Sequence, residues 1–233
     1  GVQTCALPIW LARHYGVPHV IGSHFRRVSF AGDPARKRGG LLRTGSLLTV
    51  TSYATRTSPV IRGHWILANL IGSPPPPPPP TVPALDGKRV AESLPIRQRL
   101  SAHRDNPSCA GCHQVMDPVG FALENYDAVG RWRSFVDGEA VDALGGLPGA
   151  AETGGVAELE RALLRRPELF TGTLAEKLLI FALGRPTDHR DAPVLRAIVR
   201  RSAEENHRFS ALVLAIVEST PFQFRRKIGR AHV

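Results

Sequence analysis

The sequence is poor in sulfur-containing residues, since its 233 residues include only three cysteines and one methionine. Three cysteines are too few for a four-cysteine structural zinc site. The chain also lacks any apolar run that approaches the roughly 18 residues required by a membrane-spanning helix. The sequence therefore predicts no membrane span in this chain.

The two ends of the chain look foreign to the rest of it. The terminal IGRAHV can be encoded by a DNA whose reverse complement, read one base in, gives TCALPI, which is residues 4–9. Both peptides are typical of translated sequencing adapters, so we set aside residues 1–9 and 227–233 as adapter-derived. Cys5 is set aside with them. We expect the remainder to be a piece of a longer protein, and the lack of a signal peptide here carries no information about that protein.

Basic residues outnumber acidic ones. Lysine and arginine total 30 against 20 aspartates and glutamates, a formal charge of +10. Without Lys227 and Arg230 there are 28 basic residues against the same 20 acidic ones, so the charge falls to +8. Nucleic-acid binding calls for clustered basic residues in a recognisable module, and here they are dispersed. We predict no nucleic-acid partner; an acidic protein or an anionic cell-surface polymer suits this charge better.

The other two cysteines lie together in PSCAGCHQVMD, residues 107–117. A structural zinc ion would need a second pair of ligands from scattered histidines. A thioredoxin-like pair would lie where a strand meets a helix, whereas this one follows the polar, helix-like LPIRQRLSAHR. Cys-x-x-Cys-His is the attachment signature of c-type haem, in which each thiol adds to one vinyl group and the histidine binds the iron. We predict one covalent haem c on Cys109 and Cys112, with His113 as the proximal iron ligand. A thiol pair without haem is the alternative.

The ligand on the far face of the iron is left open by the sequence. Met116 is the only methionine and follows His113 by three residues. In a helix it would lie on the same side as the proximal imidazole, so packing is its favoured role and iron binding the lesser one. His103 is the best local candidate, although it could instead cap a helix or bind a propionate. An iron without a sixth ligand from this chain is the third possibility.

Periodicity predicts a mainly α fold. A short β element is expected near residues 46–53, where every second residue is apolar or β-branched. Ser58 then caps a buried apolar helix whose first residue is Pro59. The prolines at 74–80 are predicted to form a stiff polyproline II spacer.

The last third of the chain is predicted to be a small helical bundle at 156–226, after a Gly-rich linker at 139–155. Thr173 and Glu176 read as a capping box that opens its second helix, with Phe181 facing inward. The bundle contains no Ser/His/Asp order and no Gly-rich phosphate loop. Its predicted role is packing or interaction.

Three segments carry a resemblance to a known family: RTSPVIRGHWILANLIGSPPPPPPP, SLPIRQRLSAHRDNPSCAGCHQVMDPVGFALENYDAVGRWR and LLRRPELFTGTLAEKLLIFALGRP. They resemble the C-terminal half of large planctomycete-type proteins, which carry c-type haem motifs beside paired domains of unknown function. The resemblance implies a haem domain of unknown function at 39–138, a second such domain at 156–226, and 10–38 as the tail of a domain upstream.

The resemblance also implies site residues. It marks the haem site and its flanks, which are Cys109, Cys112 and His113 with His103, Arg104, Asp117, Pro118 and Gly120. Pro118 and Gly120 are expected to shape a turn that lets the backbone pass close to the haem ring. Arg104 or Arg131 could pair with a propionate, because a guanidinium suits a carboxylate.

These observations predict a fragment of an exported multi-domain haem protein that passes single electrons to redox partner domains or proteins. Because haem c is attached outside the cytoplasmic membrane, the expected location is the periplasm or the cell surface. Two alternatives stay open. One is a peroxidase-like or oxidase-like enzyme domain with an open iron position, where Glu124 or a histidine acts as acid or base. The other is a structural module, with the haem as a staple or with redox thiols and no haem.

Overall fold

Helices make up most of the structure, as the sequence predicts. This computed structural model describes residues 4–6, 9–30, 38–77, 94–149 and 153–224. The chain divides into two units, the first formed by Gly1–Leu67 with Pro75–Ala162 and the second by Ala68–Pro74 with Leu163–Val233. Within the described ranges, no helix combines the length and the apolar character that a membrane crossing requires.

Among its described residues, the first unit contains short helices and three two-stranded ribbons. Its helices are α1 (Ile9–His14), α2 (Gly45–Val50), α3 (Pro59–Ile66), α4 (Ile96–Arg104), α5 (Pro107–Phe121) and most of α6 (Gly155–Leu164). A 3₁₀ turn at Leu41–Arg43 precedes α2, and a π turn at Leu67–Ile71 extends α3. The antiparallel ribbons pair β1 (Thr4–Ala6) with β2 (Arg27–Ser29), β3 (Phe135–Val136) with β4 (Glu139–Ala140), and β5 (Leu144–Gly145) with β6 (Thr153–Gly154).

The β element predicted near residues 46–53 is wrong, because α2 occupies most of this stretch. Leu47 and Leu48 are adjacent in sequence and both are buried. In a strand, neighbouring side chains point to opposite faces, whereas in a short helix the side chains of Leu47 and Leu48 can both point towards the same core. Thr51 closes the turn, since its hydroxyl donates a hydrogen bond to the carbonyl of Leu47 at 2.7 Å.

The start of α3 confirms the predicted cap. Ser58 Oγ accepts a hydrogen bond from the backbone N–H of Ile61 at 3.3 Å, and Pro59 occupies the first turn. The chain leaves the following π turn at Gly72, which has a positive φ of 73°. Of the predicted proline spacer, residues 74–77 form neither helix nor strand, and residues 78–80 lie outside the described part.

Helices α3 and α5 pack against each other through glycine. A Cβ added to Gly120 would lie 1.8 Å from the carbonyl oxygen of Pro59, so only glycine permits this approach. The turn predicted at Pro118 and Gly120 is therefore wrong. Both residues lie inside α5, and the backbone that approaches Gly120 belongs to α3.

The second unit contains α7 (Pro167–Leu183), α8 (Ala192–Glu204), α9 (Phe209–Val217) and α10 (Thr220–Gln223). This confirms the predicted helical bundle. Its buried core consists of Ala175, Leu179, Ile198, Leu212, Ala215 and Ile216. Helix α6 groups with the first unit as far as Ala162.

Helix α7 begins earlier than the capping box predicted. Pro167 opens it, so Thr173 lies in its interior, where the hydroxyl donates to the carbonyl of Leu169 at 2.9 Å. Phe181 is 88% exposed, so its predicted inward orientation is also wrong. Leu179 lies on the core face of α7. Phe181, two residues further, lies about 200° around the helix and therefore on the opposite face.

Candidate haem site

The Cys-x-x-Cys-His motif lies in the first two turns of α5, directly after a corner with α4. Asn106 caps α5, since its side-chain oxygen accepts a hydrogen bond from the backbone N–H of Ser108 at 3.0 Å. Pro107 takes the first helical position, where a missing N–H costs nothing. The local sequence therefore fixes where the helix begins and holds the motif in a regular conformation.

Both cysteines of the motif carry free thiols. Cys109 is buried, being 5% exposed, and Cys112 is half-buried. Residues three apart lie on one side of a helix, so the two side chains share a face of α5. Cys112 Sγ lies 3.8 Å from the carbonyl oxygen of Pro76, which brings the start of the proline segment beside the motif.

A buried carboxylate orients the histidine of the motif. His113 Nδ1 lies 2.9 Å from Asp117 Oδ1, and the side chain of Asp117 is completely buried. Because a carboxylate accepts hydrogen bonds, this contact places the proton of the neutral imidazole on Nδ1. The lone pair of Nε2 is then free for a metal. The second carboxylate oxygen, Asp117 Oδ2, is buried and has no hydrogen-bond partner among the described residues.

His103 from α4 contacts the same imidazole. The rings of His103 and His113 meet edge to face, with centroids 4.7 Å apart and planes at 79°. Burial lowers the pKa of His103, and the nearby His113 lowers it further, while Asp117 acts in the opposite direction. A lowered pKa favours the neutral imidazole, which is the form that binds metals.

Met116 lies on α5 three residues beyond His113, slightly less than one helical turn, and is buried, with 8% of its surface exposed. We predicted that Met116 lies on the same side of the helix as His113 if this segment is helical. The structure shows that the segment is helical. Arg104 is half-buried and Arg131 is exposed.

The donor set fits a covalently attached haem. Two free thiols on one helix face, followed by an imidazole whose Nδ1 is held by a carboxylate, supply the three groups that such a haem requires. A bare metal ion finds less support, since no group of three or more His, Cys, Asp or Glu side chains in the described ranges could hold one.

Sequence reasoning missed the role of Arg62. This side chain is fully buried in α3, and its guanidinium donates to Glu124 Oε1 at 3.0 Å and to the carbonyls of Leu123 and Tyr126, each at 2.9 Å. Burial lowers the pKa of Arg62 to about 10, although Glu124 opposes the shift. The available signal was an arginine in the mostly apolar stretch PVIRGHWI, which also contains His64.

Glu124, the candidate acid or base above the iron, is committed to this buried network. Its Oε1 pairs with Arg62, and its Oε2 accepts from Thr57 Oγ1 at 2.7 Å and from Arg133 Nη2 at 2.9 Å. Both carboxylate oxygens therefore already have partners within the fold.

Two stretches of the chain match known protein families. Residues 38–135 match the family described as "Protein of unknown function (DUF1588)", and residues 151–222 match "Protein of unknown function (DUF1585)". Searches of curated proteins and of solved structures found no match. In chain order, the match to DUF1588 precedes the match to DUF1585, a pairing that is typical of planctomycete cytochrome-c-like proteins.

Proposed function

We propose that the first unit attaches one haem c through Cys109, Cys112 and His113 and transfers single electrons within an exported redox protein. The observation that carries this proposal is the 2.9 Å contact between His113 Nδ1 and the buried carboxylate of Asp117. Histidines that bind metals commonly donate their other ring N–H to a carboxylate, which fixes the tautomer and the orientation of the ring.

The thiols support the same chemistry. Cys109 and Cys112 are both free and share a face of α5, so each is available to add its S–H across one vinyl group of a porphyrin. A haem bound in this way supplies the one-electron chemistry of its iron. The protein's own contribution is to hold Nε2 of His113 towards the metal and to exclude water through the burial of Cys109, Met116 and Asp117.

The described residues do not support Glu124 as the acid or base of a peroxidase-like or oxidase-like enzyme. An enzyme of that type needs an acid or base with a free functional group beside the iron. Glu124 is a poor candidate, because Arg62, Arg133 and Thr57 already engage its carboxylate. An exported location is part of the proposal, since haem c is attached outside the cytoplasmic membrane.

Coexpression of the whole chain with an export signal and a haem c attachment system tests the proposal. We expect a red protein that keeps its colour after denaturation and gains the mass of one haem. Replacing Cys109 and Cys112 with alanine should abolish both signals. The matched control is Cys5→Ala, which removes the third cysteine and should leave attachment intact. A colourless wild-type chain, produced where a known cytochrome c matures normally, would refute the proposal.

A further inference from the structure

The Asp117 carboxylate is buried with too few hydrogen bonds to offset the free-energy cost of burying it. Its side chain is 0% exposed, and only Oδ1 has a partner, the Nδ1 of His113 at 2.9 Å. Oδ2 is enclosed with no donor among the described residues. A buried carboxylate is unfavourable unless positive charge or hydrogen bonds compensate it.

The sequence fixes this pair through helix geometry. His113 and Asp117 are four residues apart in α5, so their side chains lie above one another on one face. The side chain of Asp117 is fully buried in this helix, so water has little access to the carboxylate. The direction of the imidazole is thereby set by the helix itself.

We propose that Asp117 is a positioning residue for His113, which holds its Nε2 towards the iron and stabilises the ferric state over the ferrous state. This inference rests on the proposed haem function and deepens it. A carboxylate on Nδ1–H raises the basicity of the ligating nitrogen. The ferric iron carries one more positive charge than the ferrous iron, so both the more basic ligand and the nearby negative charge favour it. The expected result is a low reduction potential for the transfer of one electron.

Potentiometric titration of the haem-loaded chain tests the inference. In Asp117→Asn the equilibrium constant for one-electron reduction should rise at least tenfold, which corresponds to about 59 mV. The matched control is Asp105→Asn, which removes an exposed carboxylate at the corner between α4 and α5. This variant should stay within a factor of about two of the wild type. Equal potentials for Asp117→Asn, Asp105→Asn and the wild type would overturn the inference while the haem function stands.

A second measurement tests the inference even if Asp117→Asn fails to fold. In the haem-free Cys109→Ala/Cys112→Ala chain, long-range ¹H–¹⁵N NMR of neutral His113 should report a single tautomer with the proton on Nδ1. A proton on Nε2 would overturn the inference without any variant of Asp117. Because this measurement needs no haem, its outcome is independent of whether the wild-type chain attaches one.

Discussion

Gly63 of α3 faces the carbonyl oxygen of Met116 in α5 so closely that an added Cβ would lie 1.9 Å from that oxygen. The clash is with backbone, which cannot rotate away as a side chain could. Gly63→Ala should therefore destabilise the first unit by at least roughly 1–3 kcal/mol, the usual cost of overpacking a core.

Gly111→Ala in α5 is the matched control for this change, because nothing lies within 4 Å of its added Cβ. Alanine in an open helical position should raise stability by roughly 0.5–1 kcal/mol. Urea unfolding of the haem-free cysteine variant, followed by tryptophan fluorescence, measures both effects. All three tryptophans lie in the first unit, so this signal reports that unit alone. Equal unfolding midpoints for the two variants would contradict the glycine contact between α3 and α5.

The buried pair of Arg62 and Glu124 makes a second prediction. Arg62→Met removes one cation and leaves Glu124 buried with Arg133 as its one charged partner among the described residues. Removing one partner of a buried ion pair typically costs about 3–5 kcal/mol. Tryptophan fluorescence in urea should show this loss for Arg62→Met, whereas Arg56→Met, at an exposed arginine, should change stability by less than about 0.5 kcal/mol. If both variants unfold at the wild-type midpoint, the network has no structural role.

The sequence was most informative where one local rule decided the structure. Ser58 with Pro59 located the start of α3. Gly184 ends α7 with a left-handed φ of 64°, a conformation that favours glycine. The rules failed where tertiary packing decided. Thr173 has a good capping side chain, yet α7 extends past it to Pro167.

In the candidate site, too, local spacing predicted some residues, whereas the roles of others depend on the folded structure. Spacing alone identified Cys109, Cys112 and His113 as a group, and the resemblance added Asp117 without giving it a role. The contact with His113 becomes visible once the segment is known to be one helix, because i and i+4 side chains then meet. The burial of Arg62 could not be predicted, since Leu123, Glu124 and Tyr126, which accept from it, follow it by more than 60 residues in sequence.

The pKa of Asp191 predicts a pH dependence for the second unit. Hydrogen bonds from the Arg185 guanidinium, at 2.7 and 3.0 Å, lower this pKa below its ordinary value. A carboxyl with a lowered pKa in the folded state stabilises the fold fully above its ordinary pKa and loses that contribution as the pH falls through the lowered pKa. Asp191→Asn should therefore unfold earlier than the wild type at about pH 7, and the gap should narrow at an acidic pH below the ordinary pKa of an aspartate.

Tryptophan fluorescence cannot follow the second unit, because that unit contains no tryptophan. Far-UV circular dichroism in urea is used instead, since the second unit is helical. Glu204→Gln is the control, since it removes an exposed carboxylate at the other end of α8, the helix that follows Asp191. Its midpoint should differ little from the wild type at either pH. A gap for Asp191→Asn that persists unchanged at the lower pH would contradict the assigned ion pair.

The far face of the iron gives the last prediction, which rests on the proposed haem. Met116 follows His113 by less than one helical turn in α5, so it lies on the side of the proximal imidazole. We expect the ferric protein to lack a methionine-to-iron charge-transfer band. Met116→Leu should leave the ferric spectrum nearly unchanged, because a swap of similar volume in a core usually costs under about 1.5 kcal/mol. A methionine band that disappears in Met116→Leu would contradict this placement.

His103→Ala separates the two remaining possibilities for the iron. Two imidazoles that bind opposite faces of one iron have the metal between them, whereas the rings of His103 and His113 contact each other directly at 4.7 Å. His103 can therefore become the sixth ligand only if its ring moves away from His113 as haem is attached. In that case His103→Ala should convert a low-spin ferric spectrum to high-spin and let the reduced form bind carbon monoxide. If the wild type is already high-spin and binds carbon monoxide, the site is open and His103 only packs against the proximal ligand. Because an open iron meets small molecules directly, that second result would favour enzyme chemistry over electron transfer.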